Sequence, residues 1–434
     1  MNEWALTFLG RFAPAMLFAV AVSVSAQAGD QLIQRVNVLD GKQSLADESV
    51  LIRDGRIAQV APSIDAGGAE IISGKGRTLI PGLIDAHTHI RSALDLEKAL
   101  AFGVTTVLSL NMDPAVAARL KNTAPDRADL LSAGSAATVP DGHGTEFGWA
   151  VPTLTAPGQA QAWVDARIAE GSAFIKIMYE YAGEHGRSTR PSLDPETLSA
   201  LVRAAHARGK LAIVHIHTAE QALGAIVAGA DGLAHLYLSG AEDITPQVIE
   251  QAARHRIFVI PTLTLLQSVC GQMPGKQVLE DARLRRFVLN DDLEPLGRAI
   301  FKEPATECGR PPTVTAQLAA ARVPILAGTD EPKPGVVIGA SLHVELAALV
   351  AAGLAPIDAL AAATSVAAQS FRLLDRGRVA PGMRADLVLV DGNPAVDISA
   401  TRNIVSVWKA GVRFDRDAWL ARAVAALPSP PAGK

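Results

Sequence analysis

Through the middle of the chain, short apolar runs alternate with amphipathic segments. The runs are almost continuously apolar, which is typical of parallel strands buried on both faces. Residues 195–208 illustrate the other pattern, because their apolar positions fall on one helical face that ends at Gly209. The predicted strands are residues 79–86, 104–110, 130–134, 174–179, 211–217, 232–235, 257–261 and 323–329. Eight strands alternating with helices predict an α/β fold, a (β/α)₈ TIM barrel with its active site at the carboxyl ends of the strands.

Both ends of the chain show a different, antiparallel pattern. The strand-like runs there are residues 32–39, 49–53, 56–60, 385–390 and 404–409. Asp54-Gly55 supplies a hairpin turn between two of them. Similar ends around a different core predict one small β-sandwich built from both. The predicted domains are sandwich segments at 29–80 and 377–425, the barrel at 81–376 and a loose tail at 426–434.

The first 28 residues have the pattern of a secretory signal peptide. Arg11 precedes an apolar core at residues 12–24, and an Ala-x-Ala cleavage site follows at residues 26–28. A membrane anchor needs about 18 or more apolar residues, and this core is shorter. Glu3 is an exception in a region that is usually positive. We expect residues 1–28 to be removed and the mature protein to be exported, periplasmic or secreted.

Composition narrows the class of protein. Hydrophobic residues make up 49% and charged residues 19% of the 434 residues, as in a well-buried globular enzyme. The net charge of −4 and the lack of a Lys/Arg run argue against nucleic acid as a partner. We expect a small-molecule substrate and no membrane contact after signal cleavage. The sequence does not fix the oligomeric state, and a homo-oligomer is compatible with it. Cys270 and Cys308 could form a disulfide or stay as two thiols, and the sequence leaves both open.

Polar residues stand where the apolar strands end. Each has a structural alternative: a histidine could be a hydrogen-bonded core residue, Lys176 could pair with a carboxylate, and Asp330 could cap a helix. Their co-occurrence at one end of the same predicted barrel instead indicates a metal site. The residues are His87, His89, Lys176, His215, His217, His235 and Asp330. Nitrogen and carboxylate ligands without sulfur suit Zn²⁺, and also Mn²⁺, Co²⁺ or Fe²⁺.

Several of these residues lie in motifs that resemble the amidohydrolase superfamily, and the similarity covers nearly all of the mature chain. Within the superfamily the chain is most similar to Xaa-Pro dipeptidase (prolidase)-like and carboxypeptidase-like members. The motifs are Pro81-Gly82-Leu83-Ile84-Asp85-Ala86-His87-Thr88-His89, Phe174-Ile175-Lys176-Ile177, Val214-His215-Ile216-His217, Gly328-Thr329-Asp330, and Gly377-Arg378-Val379-Ala380-Pro381-Gly382 leading to Ala385-Asp386-Leu387-Val388.

The resemblance implies a centre of two divalent metal ions bridged by an N6-carboxylated Lys176. His87, His89 and Asp330 would hold one ion, and His215 and His235 the other. A hydroxide bridging the ions would attack the scissile carbonyl, and Asp330 would transfer the proton to the leaving amine. His143 matches a Gly-His-Gly of the prolidase-like group and would stabilise the oxyanion, although a loop histidine without that role stays open.

The expected activity is hydrolysis of an amide or peptide bond in a dipeptide or N-acyl amino acid. A lactone, ester or phosphotriester hydrolase on the same centre is one alternative. A mononuclear deaminase is another, because residues 217–220 mimic its His-x-x-Glu, and a non-catalytic binding protein is a third. His215 and His217 compete as the ligand of the fifth strand. The expected substrate contacts are His217, Tyr237, Arg187 and Arg190, and residues 264–312 are expected to form a helical lid.

Overall fold

The computed structural model describes residues 29–121, 124–180, 190–302 and 307–426. The predicted signal peptide, all but the first residue of the predicted tail, and Arg187 lie outside the described residues. The strands are β1 (Gln31–Asp40), β2 (Gln43–Arg53), β3 (Arg56–Ala61), β4 (Glu70–Ser73), β5 (Arg77–Pro81), β6 (Leu83–Thr88), β7 (Val104–Ser109), β8 (Asp129–Ser132), β9 (Ile175–Met178), β10 (Ala212–His215), β11 (Gly232–Ala234), β12 (Phe258–Ile260), β13 (Leu387–Asp391), β14 (Ile404–Lys409) and β15 (Val412–Phe414).

Helices follow most of the barrel strands and end where the sequence supplies glycine. The predicted helix at 195–208 is present at Pro195–Ala207, with the Asp194 side chain accepting from the Thr197 amide at its start. The helices are α1 (Ala93–Ala101), α2 (Pro114–Leu120), α3 (Ala160–Ala169), α4 (Pro195–Ala207), α5 (Ala219–Val227), α6 (Ile244–His255), α7 (Leu263–Val269), α8 (Lys276–Glu280), α9 (Ala282–Arg285), α10 (Leu293–Leu296), α11 (Arg310–Ala320), α12 (Ala340–Ala351), α13 (Pro356–Ala362), α14 (Ser365–Ser370) and α15 (Arg416–Ala426).

The two ends of the chain form one mixed sheet of eight strands. Its order is β15-β14-β13-β5-β1-β2-β3, with β4 pairing with β1. Strand β13 from the far end pairs antiparallel with β5, which joins the two ends by main-chain hydrogen bonds. Trp408 is fully buried there, and its indole N–H donates to Gln31 at 2.8 Å. Strands from both ends therefore pair within one hydrogen-bonded sheet, and the β-sandwich domain built from both ends stays a prediction.

The central strands form two parallel sheets, as expected for an α/β fold of TIM-barrel-like type. One has the order β6-β7-β8 and the other β12-β11-β10-β9. Isolated parallel bridges add to the second sheet: Ala137, which follows β8 in the chain, pairs with Ile177 of β9, and Ile325 pairs with Val259 of β12. A third bridge joins Thr88 to Glu331. The carboxyl ends of the strands therefore face the same region.

Two predicted strands differ from the structure. The run predicted as one strand at 79–86 is two strands, because Gly82 breaks it: a Cβ there would lie 2.3 Å from the Thr105 hydroxyl oxygen. The predicted eighth strand at 323–329 is reduced to the bridge at Ile325. Pro324 in this segment has no N–H to donate to a sheet.

Short helices cover the carboxyl ends of the strands. The predicted lid is present as α7 to α10, and Leu265, Leu266 and Val269 of α7 are buried against the cavity beneath. Cys270 and Cys308 form a disulfide across this region, so the open alternative of two thiols does not apply. Among the described residues, no helix combines the length and apolar character that a membrane span requires.

Candidate metal centre

The predicted ligands converge on one cavity of about 200 Å³ at the carboxyl ends of the parallel strands. Strand β6 carries His87 and leads into His89, β9 carries Lys176, and β10 ends at His215. Strand β11 leads into His235, and the segment that follows Ile325 leads into Asp330. All six ligand side chains line the cavity: His87, His89, Lys176, His215, His235 and Asp330. Their sequence separation shows that only the fold brings them together.

His87, His89 and Asp330 form a compact donor group. One carboxylate oxygen of Asp330, Oδ1, lies 2.5 Å from His89 Nε2 and 3.0 Å from His87 Nε2. The other ring nitrogen of His89, Nδ1, lies 2.8 Å from the Asn111 carbonyl oxygen, which can only accept, so Nδ1 carries the proton. In the tautomer that carries its single proton on Nδ1, Nε2 presents a lone pair toward this carboxylate oxygen. Such an arrangement fits a cation held between them.

Backbone conformation and hydrogen bonds orient His87, His89 and Asp330 toward the cavity. Asp85 Oδ1 accepts from the amides of His87 and Thr329, and Asp85 Oδ2 accepts from the Thr329 hydroxyl, which ties β6 to the segment that carries Asp330. Asp330 and His235 both have positive φ, at +59° and +72°. That conformation is uncommon for residues other than glycine. It turns each side chain out of the regular strand alternation and toward the cavity.

His215 and His235 are held as neutral metal ligands would be. The Thr262 hydroxyl donates to the Pro261 carbonyl, so the His235 Nδ1–H donates to that hydroxyl oxygen at 2.8 Å. The Nε2 lone pair of His235 is therefore available for a metal ion. Burial lowers the pKa of His215 and His235 well below the usual value, and it lowers that of His87 to about 3. All three rings are neutral at physiological pH.

Lys176 is a buried amine whose Nζ has no hydrogen-bond partner among the described residues. Its exposed fraction is 1%. Burial lowers the pKa of Lys176 to about 7, so much of it is neutral near neutral pH. A neutral amine can take up CO₂, and the resulting anion would satisfy the orphaned nitrogen and offset two nearby cations. The residues present therefore fit a metal centre with a modified lysine.

A second donor group includes a residue that the sequence prediction missed. Glu180 is buried, and its Oε2 accepts from His143 Nδ1–H at 2.6 Å. The same oxygen lies 3.5 Å from His215 Nε2 and 3.9 Å from His217 Nε2. The Nε2 atoms of His215 and His217 are 2.9 Å apart. Strand alternation could have identified Glu180, because residues 176, 178 and 180 share one face.

Two predicted substrate contacts, Tyr237 and Arg190, do not line the cavity. Tyr237 is fully buried and its hydroxyl donates to Thr245 at 3.2 Å; the left-handed turn at His235 breaks the strand alternation that would have pointed it inward. Arg190 pairs with Glu146 at 3.3 Å and does not line the cavity. Arg187 lies outside the described residues. His217 and His143 do line the cavity.

The His-x-x-Glu motif at residues 217–220 resembles that of a mononuclear deaminase, in which the glutamate would have to reach the metal cavity. Oε1 of Glu220 accepts from the Ala241 amide at 2.9 Å, and Glu220 does not line the metal cavity. The carboxylate caps a turn outside the centre, where it cannot shuttle protons to a metal-bound substrate.

The fold and the site define a metal-binding hydrolase. The chain belongs to the amidohydrolase family, whose model matches residues 78–413, so the resemblance seen in the motifs is confirmed. An imidazolonepropionase from Deinococcus radiodurans is 24% identical over 88% of this chain and 95% of that protein.

Solved structures of related proteins share the fold. A putative prolidase from Bifidobacterium longum is 25% identical, covers 92% of this chain and all of its own, and has a TM-score of 0.69. A Xaa-Pro dipeptidase with methionine bound in its active site is 22% identical, covers 89% of this chain, all of its own, and has a TM-score of 0.70.

Proposed function

We propose that the protein hydrolyses the amide bond of a dipeptide or N-acyl amino acid at a centre of two divalent metal ions. The observation that carries this proposal is the buried, unpartnered Lys176 amine among two groups of histidine and carboxylate donors around one cavity. Carboxylation of Lys176 would supply an anion between these two donor groups.

In this proposal His87, His89 and Asp330 would hold one ion, His215 and His235 would hold the other, and a carboxylated Lys176 would supply a ligand to both. Zn²⁺ suits these ligands, and Mn²⁺, Co²⁺ or Fe²⁺ would also be accepted. When bound, the ions would lower the pKa of water and polarise the scissile carbonyl. His215 is preferred over His217 as the ligand because His215 ends β10 beside His235, with ring centroids 4.7 Å apart.

Two side chains would move protons or stabilise charge. Asp330 would accept the proton of the attacking water and deliver it to the leaving amine. His143 donates to Glu180 through Nδ1, so its Nε2 donates to a substrate oxygen only when the ring carries both protons. The Glu180 carboxylate offsets the charge of that state. His143 would then stabilise the developing oxyanion.

Amide hydrolysis is favoured over the alternatives by the likeness to a prolidase-like structure and by the position of Glu220. The 25%-identical relative described as a putative prolidase supports a peptide-type substrate. A lactone, ester or phosphotriester hydrolase would use the same donors, so it is the second candidate. A mononuclear deaminase is disfavoured because Glu220 is engaged with Ala241 outside the cavity.

Two further features of the protein, closure of the barrel and export from the cytoplasm, are also proposals. We infer that the bridges at Ala137, Ile325 and Glu331 close the two parallel sheets into an eight-stranded barrel. We also infer export, since the Cys270–Cys308 disulfide suits an oxidising compartment and the N-terminal pattern is that of a signal peptide.

Metal analysis and a substrate panel test this function together. The protein purified with Zn²⁺ or Mn²⁺ should contain about two ions per chain and should release free amine from dipeptides and N-acyl amino acids. Lactones and phosphotriesters serve as the comparison substrates. Turnover confined to those compounds, or one ion per chain with deamination, would reject the proposal.

A further inference from the structure

A second cavity, of about 320 Å³, lies beside the metal cavity. His89, Phe147 and Lys333 line both cavities, so the two spaces share a border at these side chains. The second cavity will be called the side cavity. Its other lining residues include Met112, Val116 and Trp149, and none of these has a role in the proposed metal centre.

Aromatic rings form one wall of the side cavity. Phe147 and Trp149 are nearly parallel, with ring centroids 5.9 Å apart and an angle of 22°. His89 continues the row, stacked on Phe147 at 6.4 Å. Phe147 is 37% exposed, unusually high for a phenylalanine at the mouth of a cavity. Such a wall favours a flat, apolar group, because aromatic pairs gain from offset or edge contacts beyond simple burial.

A positive charge stands at the shared border. The Lys333 ammonium lies 5.4 Å from the centre of the Phe147 ring. Among the described residues, no salt bridge joins Lys333 or Arg91, the other cation of this cavity, to a carboxylate, although the charge of Lys333 also acts on the Asp330 carboxylate of the metal cavity. The single acidic residue that lines the side cavity, Asp113, already accepts from the Ala115 amide at the start of α2. Two cations, Lys333 and Arg91, against the one carboxylate of Asp113 leave the lining with a net positive charge, which suits an anion.

The backbone presents Lys333 rigidly. It lies between Pro332 and Pro334, whose rings fix φ. Lys333 and Val336 exchange two main-chain hydrogen bonds, at 3.0 and 2.9 Å. The segment follows Asp330 directly, so the position of the ammonium is tied to the position of the predicted catalytic carboxylate.

We propose that the side cavity is the subsite for an aromatic amino acid on the leaving side of the substrate, with Lys333 binding its carboxylate and Phe147 and Trp149 contacting its ring. This inference rests on the proposed amide hydrolysis. In an N-acyl amino acid, the free carboxylate and the side chain are attached to the carbon next to the scissile nitrogen. A cation at the border and an aromatic wall beyond it match these two groups. The substrate class is an N-acylated or N-aminoacylated aromatic amino acid.

Binding of the product amino acid tests the subsite without requiring turnover. Calorimetric titration of the metal-loaded protein should show L-phenylalanine binding about tenfold or more tightly than L-alanine. Phenethylamine, which lacks the carboxylate, should bind more weakly than L-phenylalanine. Equal affinity for L-phenylalanine and L-alanine, or no binding of either, would overturn the proposal.

Variants separate the two contacts. Lys333→Met should remove the advantage of L-phenylalanine over phenethylamine, and Lys333→Arg should restore it. Trp149→Ala should remove the preference for phenylalanine over alanine while keeping the need for a carboxylate, and Trp149→Phe should retain that preference. Lys276→Met, on the exposed face of α8, is the matched control and should change neither ratio. Unchanged ratios in the Lys333→Met and Trp149→Ala variants contradict the subsite.

Turnover distinguishes failure of the subsite from failure of the function. N-acetyl-L-phenylalanine should have the higher kcat/KM when compared with N-acetyl-L-alanine, again by about tenfold or more. Cleavage of both at equal rates would leave amide hydrolysis standing and reject the aromatic subsite. If neither is cleaved but L-phenylalanine binds in the predicted way, the subsite stands and the proposed reaction fails.

Discussion

His89 Nε2 lies 2.5 Å from Asp330 Oδ1, while His89 Nδ1 is 2.8 Å from the Asn111 carbonyl oxygen. The carbonyl places a proton on Nδ1, and in the tautomer with that single proton the Nε2 lone pair faces the Asp330 carboxylate oxygen across the shorter distance. A cation between them removes the repulsion. This contact joins residues 241 positions apart, from the first and last strand segments of the predicted barrel.

Replacing Asp330 with asparagine should remove both a metal ligand and the predicted proton carrier. We expect kcat/KM to fall by about 10³-fold or more, because general acid–base catalysis alone contributes 10²–10⁴-fold. The metal content should fall as well. Steady-state kinetics and metal analysis of Asp330→Asn measure both effects, with circular dichroism to check the fold. A folded variant with wild-type turnover would exclude Asp330 as the base.

Lys176→Ala should lose activity and one or both ions, and a small carboxylate such as acetate should restore part of the activity by occupying the vacated position. A crystal structure of the metal-loaded wild type should show CO₂ attached to Nζ. Lys409→Met is the matched control, since Lys409 is also buried but pairs with Asp129 at 3.0 Å and does not line the metal cavity. Its metal content should equal that of the wild type. An unmodified Lys176 in the metal-loaded crystal would contradict the bridge.

Removal of metal should destabilise the protein, because the ions bind the folded chain and not the unfolded one. A ligand present at 100 times its Kd contributes about 2.7 kcal/mol. Thermal unfolding after dialysis against a chelator should therefore occur at a lower temperature, and Zn²⁺ or Mn²⁺ should restore it. Mg²⁺ is the comparison ion, because nitrogen-rich sites bind it poorly. Identical unfolding curves with and without chelator would argue against a metal centre.

Glu180→Gln should impair turnover by changing the group that orients His143. Glu180 accepts from His143 Nδ1–H at 2.6 Å, and loss of a partner behind a functional histidine typically costs about 10–100-fold. The loss should appear mainly in kcat if His143 acts on the transition state. Glu146→Gln, on the same side of the cavity, is the control, because Glu146 pairs with Arg190 instead. Equal kinetics in the two variants would separate Glu180 from catalysis.

Glu345 should make the stability of the protein decrease as pH rises. Its buried carboxyl group accepts from the Leu263 and Thr264 amides, and burial raises its pKa from 4.5 to about 7. A carboxyl group whose folded pKa is raised stabilises fully below the unfolded value and loses that contribution as pH passes the folded value. The change amounts to about 3 kcal/mol between pH 4.5 and 7.

Calorimetric melting of Glu345→Gln and wild type across pH 5 to 8, roughly the window set by that pKa, checks this sign. The variant carries no titrating group at this position, so its midpoint should rise relative to that of the wild type as pH increases. Curves that remain parallel over the whole range would show that Glu345 does not titrate in this window.

Much of the centre could be predicted from the sequence because its signals are local. His87 and His89 share a strand face by alternation, and the positions of His215 and His235 after apolar runs follow the same rule. The break between β5 and β6 at Gly82 and the shortening of the predicted eighth strand to a bridge at Ile325 could not be predicted from local alternation. Both depend on a neighbour or a proline that changes the backbone pairing.

The sequence by itself determined the α/β class, the family and the candidate ligand residues at the strand ends, since each depends on short-range periodicity and motifs. Only the tertiary structure decided which side chains meet. It joined Glu180 to His143 across 37 residues, turned Tyr237 away from the cavity through the positive φ of His235, and set Lys333 beside Phe147. These relationships depend on the paths of loops, and packing of the whole chain fixes those paths.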